Sequence, residues 1–202
     1  LKQQLDSAGQ LETGNQSAQL WQPAPLWQRF VEDIAPANNI HPGRGLDIAC
    51  GAGRDMVYLA QQGWQMTGVD RSEDALQRVA VLAKYSGVAV ETLRCDLEKG
   101  GDPFSMLEDD SFDLVCAFDV IEHVEDDKLA AQEMKRVCKS KGLVVVSVPA
   151  LMMLWGLHDE INHHFRRYNH KELKNLFANN GKIIFQSFFN TYLFLPIAIV
   201  RI

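Results

Sequence analysis

Short, almost uninterrupted apolar runs recur between residues 45 and 189, and stretches with helical apolar spacing separate them. Strands that are apolar along their whole length are buried on both faces. The helices between them supply both the covering layers and the crossovers that parallel pairing needs. Gly45–Cys50 (GLDIAC), Trp64–Asp70, Val88–Arg94, Phe112–Phe118 (FDLVCAF), Leu143–Val148 (LVVVSV) and Lys182–Phe189 read as six strands. Arg54–Gln62, Ser72–Lys84 with Ser72 as its cap, Asp127–Val137 and His170–Ala178 read as helices. The pattern predicts an α/β domain, a doubly wound parallel sheet with helices on both faces. The 202 residues suit one such domain.

Composition narrows the function classes. Hydrophobic residues make up 47% and charged residues 23%, which excludes a disordered or coiled-coil chain. The formal charge is −6, so there is no broad basic footprint and no nucleic-acid partner is expected. Cys50, Cys95, Cys116 and Cys138 form no C-x-x-C pair, and the stretch from Leu1 to Gln19 is polar, without the apolar centre of a signal peptide. A reduced, cytoplasmic protein is expected. It starts at Leu1 rather than methionine, which fits a trimmed or partial chain.

Chemistry concentrates where the first strand meets the first helix, in Leu46-Asp47-Ile48-Ala49-Cys50-Gly51-Ala52-Gly53. Glycines there allow a sharp turn and close approach of a ligand, and the helix start offers unpaired N–H groups. No G-x-x-x-x-G-K-[ST] run exists, so P-loop phosphoryl transfer is excluded. A dinucleotide fingerprint needs a third small residue. Met56 stands there and is expected to obstruct helix–strand packing, which weakens an NAD-dependent oxidoreductase. Asp47 inside strand one, and Asp70, Asp96 and Asp119 following strands two, three and four, lie where open α/β sheets bind ligands.

With LDIACGAGRD (46–55), GVD (68–70), CDLE (95–98), FDLVCAFDVIEHVED (112–126) and GLVVVSVP (142–149) in this order, the chain resembles the class I S-adenosylmethionine-dependent methyltransferases over about residues 40–190. The similarity is to the branch that includes ubiquinone-pathway O-methyltransferases. It implies a Rossmann-like, mostly parallel sheet of seven strands, six of them identifiable here. It implies S-adenosylmethionine as cofactor, S-adenosylhomocysteine as product, and O-methylation of a small-molecule or lipid-like acceptor. Asp47, Ala49, Cys50, Gly51 and Gly53 would surround the methionine moiety, Asp70 with Arg71 the ribose, and Asp96 with Leu97 the adenine. Asp119 and Val120 would line the methyl side. Ala49 departs from the usual glycine, and the tight turn is then expected to fall to Gly51 and Gly53.

Methyl transfer needs positioning and, for a hydroxyl acceptor, a base. His123, directly after strand four, and His164, in the H-x-R-x-Y segment that continues to Arg166 and Tyr168, are the candidates; tethering of the loop is the alternative role. Some similar O-methyltransferases hold a metal with a carboxylate-x-x-Glu-His set and a later histidine, here Asp119, Glu122, His123 and His164. Aspartate shortens the reach and is also wanted by the donor, so no metal is expected.

Three parts are anticipated: residues 1–40 with an aromatic helix (Trp21, Trp27, Arg29, Phe30) as lid or packing element, the domain proper at 41–190, and an apolar tail at 191–202. The run 192–200 is too short for a bilayer span, which takes about 20 residues. It leaves packing on the core or peripheral membrane contact. A donor-binding but inactive regulatory module is the reading from another class. Nothing in the sequence speaks to oligomeric state.

Overall fold

The computed structural model describes residues 23–96, 107–178 and 181–188. Five strands form one parallel sheet in the order β3-β2-β1-β4-β5: β1 (Arg44–Ile48), β2 (Gln65–Asp70), β3 (Glu91–Arg94), β4 (Phe112–Phe118) and β5 (Cys138–Ser147). Chain order runs outward from β1 to β3, then returns to β4 on the other side of β1. The carboxyl ends of β1 and β4 therefore flank the crevice where such sheets take ligands.

The helices are α1 (Pro25–Arg29, continued by a π-helical turn Phe30–Ile34 and a last turn Ala35–Ala37), α2 (Arg54–Gln61), α3 (Glu73–Ser86), α4 (Asp127–Val137), α5 (Leu157–Ile161) and α6 (His170–Phe177). Ser72 caps α3 by accepting the Ala75 N–H, and Asp126 caps α4 by accepting that of Leu129. The period-2 alternation of β4 splits the core in two. Leu114 and Cys116 face α1, α2 and α3 with Trp27, Phe30, Met56, Trp64 and Val79; Val115 and Ala117 face the other layer with Ile121, Met134, Val137 and Tyr168.

Several expectations change. Lys182–Phe188 is not in strand, and Ile183, Ile184, Phe185 and Phe188 stay partly exposed, so β-propensity there is not converted into a sheet ladder. The sheet among the described residues thus has five strands, not six or seven. Its apolar continuation at 191–202 lies outside the described residues, as do Trp21, Leu97 and Phe189. β5 begins five residues early, through the polar Cys138–Gly142 stretch, because α4 passes straight into it.

Met56 does not obstruct packing. It is fully buried across from Gly68 of β2, where an added Cβ would stand 2.6 Å from the Met56 sulfur and 2.8 Å from that of Cys50. The small residue that close helix–strand approach demands is on the strand rather than on the helix. Gly68→Ala is therefore expected to cost about 1–3 kcal/mol of unfolding free energy in urea titrations. In a Met56→Ala background the increment should shrink, giving a measurable coupling between the two sites.

Candidate active site

β1 ends at Ile48 and the chain turns at once through left-handed residues: Ala49 at φ 54°, Gly51 at φ 55° and Gly53, the cap of α2, at φ 78°. Ala49 thus carries part of the turn itself, contrary to the expectation that the two glycines would absorb it. A non-glycine residue there costs on the order of 1 kcal/mol. The Cys50 N–H donates to the Val69 carbonyl (3.0 Å), and the Gly51 N–H donates to Asp70 Oδ2 (2.9 Å). Asp70 Oδ1 accepts the Ser72 N–H (2.8 Å), so both oxygens orient the carboxylate at the tip of β2.

Asp47 pairs in register with Gly68 on one side and Cys116 on the other, and is buried beneath α2. Burial first, and then the charges of Asp55 and Asp70, push its carboxyl up to about 8. Burial, helped by Asp47 and Asp70, likewise pushes the Cys50 thiol up to about 12, so it stays protonated. Arg71 is exposed beyond Asp70. The Cys95 N–H donates to the Asp70 carbonyl (3.0 Å), which sets Asp96 beside that strand tip. Together Asp47, Ala49, Cys50, Gly51, Gly53, Asp70 and Asp96 make one acidic, backbone-rich edge.

A second cluster follows β4. Asp119, exposed and left-handed at φ 51°, is tied to β5: its N–H donates to the Ser147 carbonyl (2.9 Å) and its Oδ1 accepts from Ser147 Oγ (3.0 Å). Val120 is buried, and a 3-10 turn, Ile121–His123, brings Glu122 inward. Glu122 is completely buried, neither carboxyl oxygen has a hydrogen-bond partner among the described residues, and burial pushes its carboxyl up to about 8. The loop after β5 returns over this turn, with the Phe165 N–H donating to the Glu122 carbonyl (2.8 Å). The His123 and His164 rings meet edge to face at 4.6 Å. Ligating atoms of Glu122, His123 and His164 all lie within 4.8 Å of one another, and Asp119 is not among them.

Sequence reasoning singled out the two histidines but not what lies behind them. Asp159, completely buried, takes the Gly156 N–H, the Arg167 guanidinium and His164 Nδ1. Burial works to raise its carboxyl, but the hydrogen bonds from Arg167, Gly156 and His164 hold it below the usual carboxylate range. Arg166 and Tyr168 instead grip Asp127 at the start of α4 (3.0 and 2.9 Å), fastening the loop.

Residues 21–182, most of the chain, match the methyltransferase domain family. The chain belongs to that family. A ubiquinone biosynthesis O-methyltransferase of Bradyrhizobium diazoefficiens is 32% identical over 120 residues, 59% of this chain and 45% of that protein. The chain thus spans less than half the length of that curated relative. Among solved structures, a Haemonchus contortus phosphoethanolamine N-methyltransferase 2 in complex with S-adenosyl-L-methionine superposes with a TM-score of 0.65 at 22% identity, over 85% of this chain and 40% of that one. The YcgJ protein from Bacillus subtilis superposes at 0.57 with 24% identity, over 69% and 61%. These likenesses establish the class I, Rossmann-like fold for this methyltransferase domain.

The raised Asp47 carboxyl has a direct consequence for stability. The folded state holds this proton more tightly than the unfolded chain, so the Asp47 contribution to stability is complete below the ordinary value of 3.8 and is lost as pH rises through about 8. Glu122 adds a decline over the same range, so in urea unfolding between about pH 5 and 8 Asp47→Asn should make the wild-type slope shallower without abolishing it.

Proposed function

We propose that this domain transfers the methyl group of S-adenosylmethionine to a hydroxyl of a small or lipid-like acceptor. The observation that carries the reading is the glycine turn closed onto Asp70, whose Oδ2 accepts the Gly51 N–H at the tip of β2. A carboxylate at that strand tip accepts hydrogen bonds from the ribose hydroxyls of an adenosyl donor. Asp70 takes the ribose with Arg71 beside it, Asp96 with Leu97 the adenine, and the turn at Ala49, Cys50, Gly51 and Gly53 the methionine moiety. Asp119 and Val120 line the methyl side. The O-methyltransferase relatives support a hydroxyl acceptor.

In the reaction the acceptor oxygen attacks the methyl carbon in line, the carbon–sulfur bond breaks, and S-adenosylhomocysteine leaves. The hydroxyl proton passes to His123 or His164, which stand together on the acceptor side. Met152, Met153, Leu157, Ile161 and Phe165, all more than half exposed on the loop after β5, offer an apolar acceptor its platform. Packing of Trp27 and Phe30 against the core, with the Ala24 N–H bonded to Asp55 (2.8 Å), makes α1 a fixed wall beside the donor in this reading. No helix among the described residues is long and apolar enough to cross a membrane.

One observation favours a metal-assisted variant. The partnerless buried carboxyl of Glu122, with His123 and His164 in ligating range, fits a divalent ion that accepts oxygen and imidazole. Such an ion would polarise the acceptor hydroxyl. EDTA then abolishes turnover; undiminished turnover in EDTA ends the metal variant and leaves the histidines as bases.

Labelled methyl transfer to a panel of phenols and alcohols tests the function. Product is expected with the wild type, and His123→Gln/His164→Gln should lose about 100-fold or more in kcat while still binding donor. Turnover unchanged in that double variant would contradict the assignment, and no turnover with any acceptor would favour the inactive regulatory module. Asp70→Ala should weaken donor binding by about 10- to 100-fold without unfolding the chain.

A further inference from the structure

We infer that Asp159, braced by Arg167, is the positioning residue of His164: it holds the ring by its Nδ1–H and leaves the Nε2 lone pair as the working nitrogen of the site. The inference rests on the methyl-transfer reading above for its use, but not for its geometry.

An aspartate buried completely in the first turn of a short helix is unfavourable unless donors surround it. α5 offers no apolar reason for the burial, since Leu157 and Ile161 at its two ends are 70% and 66% exposed. The donors are specific. Gly156 N–H reaches Oδ2 at 2.8 Å, and Arg167 makes a two-pronged contact, Nε to Oδ1 at 2.7 Å and Nη2 to Oδ2 at 3.1 Å. Arg167 Nη1 is itself fixed on the Ala150 carbonyl at 3.0 Å, so the fork is tied to the exit of β5. His164 Nδ1 lies 3.0 Å from the same Oδ1.

A carboxylate paired with guanidinium is an acceptor only, so the Nδ1 contact requires a proton on Nδ1. A neutral imidazole has one N–H, and Nε2 is then the nitrogen with the lone pair. The backbone enforces the same placement. The His164 N–H donates to the Asp159 carbonyl (2.9 Å), His163 turns through φ 55°, and the next N–H, of Phe165, is bonded to Glu122. The ring is 9% exposed and packed edge-on to His123, which restricts its movement. Capping α5 alone needs only the Gly156 contact. The histidine contact serves the cluster with Glu122 and His123, whether Nε2 takes a proton or binds an ion.

The test uses the whole chain with 15N-labelled histidine, in long-range proton–nitrogen NMR at a pH well above ordinary histidine titration. His164 is assigned by the pattern lost in His164→Gln. The wild type is expected to show Nδ1 protonated and Nε2 bare. Asp159→Asn should move the population towards the Nε2–H form that free histidine prefers, and lower kcat about 10- to 100-fold with KM for S-adenosylmethionine unchanged. An Nε2–H ring in the wild type overturns the inference, whatever Asp159→Asn does. So does an Asp159→Asn protein with the wild-type tautomer. A chain with the Nδ1–H ring that transfers no methyl refutes the reaction and keeps the positioning. A chain that methylates with an Nε2–H ring does the reverse.

Discussion

The carboxyl edge of this sheet depends on the register of β1, which sets Asp47 between Gly68 and Cys116. Side chains alternate along a strand, so a slip of one residue would turn Leu46 and Ile48 out of their layer and Asp47 into it. With the register as found, Asp47 lies beneath α2 and the missing side chain of Gly68 leaves room for Met56. That close approach brings the start of α2, the glycine turn and the tip of β2 within hydrogen-bonding distance of one another. One register thus makes both the core and the donor-facing edge.

Four of the six described non-glycine residues with positive φ lie towards the same end, while Asn39 and Asp110 precede β1 and β4. Ala49 after β1, Asp119 after β4, Leu151 after β5 and His163 beside the histidine pair all have positive φ without being glycine. Each is a departure costing on the order of 1 kcal/mol or more. The loop after β5 shows how such departures are sustained: Arg167 on Asp159 and Arg166 on Asp127 are ion pairs across it, and the Ala150–Tyr168 bridge closes its base.

How much of this was legible in the sequence depended on whether the signal was local. β4 and α4 are found at the residues the pattern marks, Phe112–Phe118 and Asp127–Val137, because an apolar run and an Asp126 cap bound them. β5 is longer than its apolar run because pairing with β4, Phe112 opposite Cys138, carries polar residues into the ladder. β3 is shorter, since Val88 and Val90 pack against the core ahead of the paired residues. At the site, glycines and strand-end aspartates announce themselves by position. Asp159 and Arg167 do not: their meaning comes from a contact with His164 that no periodicity encodes. Met56 misled for a related reason, because the compensating glycine lies twelve residues away on the opposing strand.

Calorimetric titration of the full chain with S-adenosylmethionine, S-adenosylhomocysteine and NAD in parallel tests the central claim most directly. The acidic glycine turn should bind both adenosyl ligands with micromolar affinity and ignore NAD. Binding of NAD with silence from the adenosyl pair would contradict the account.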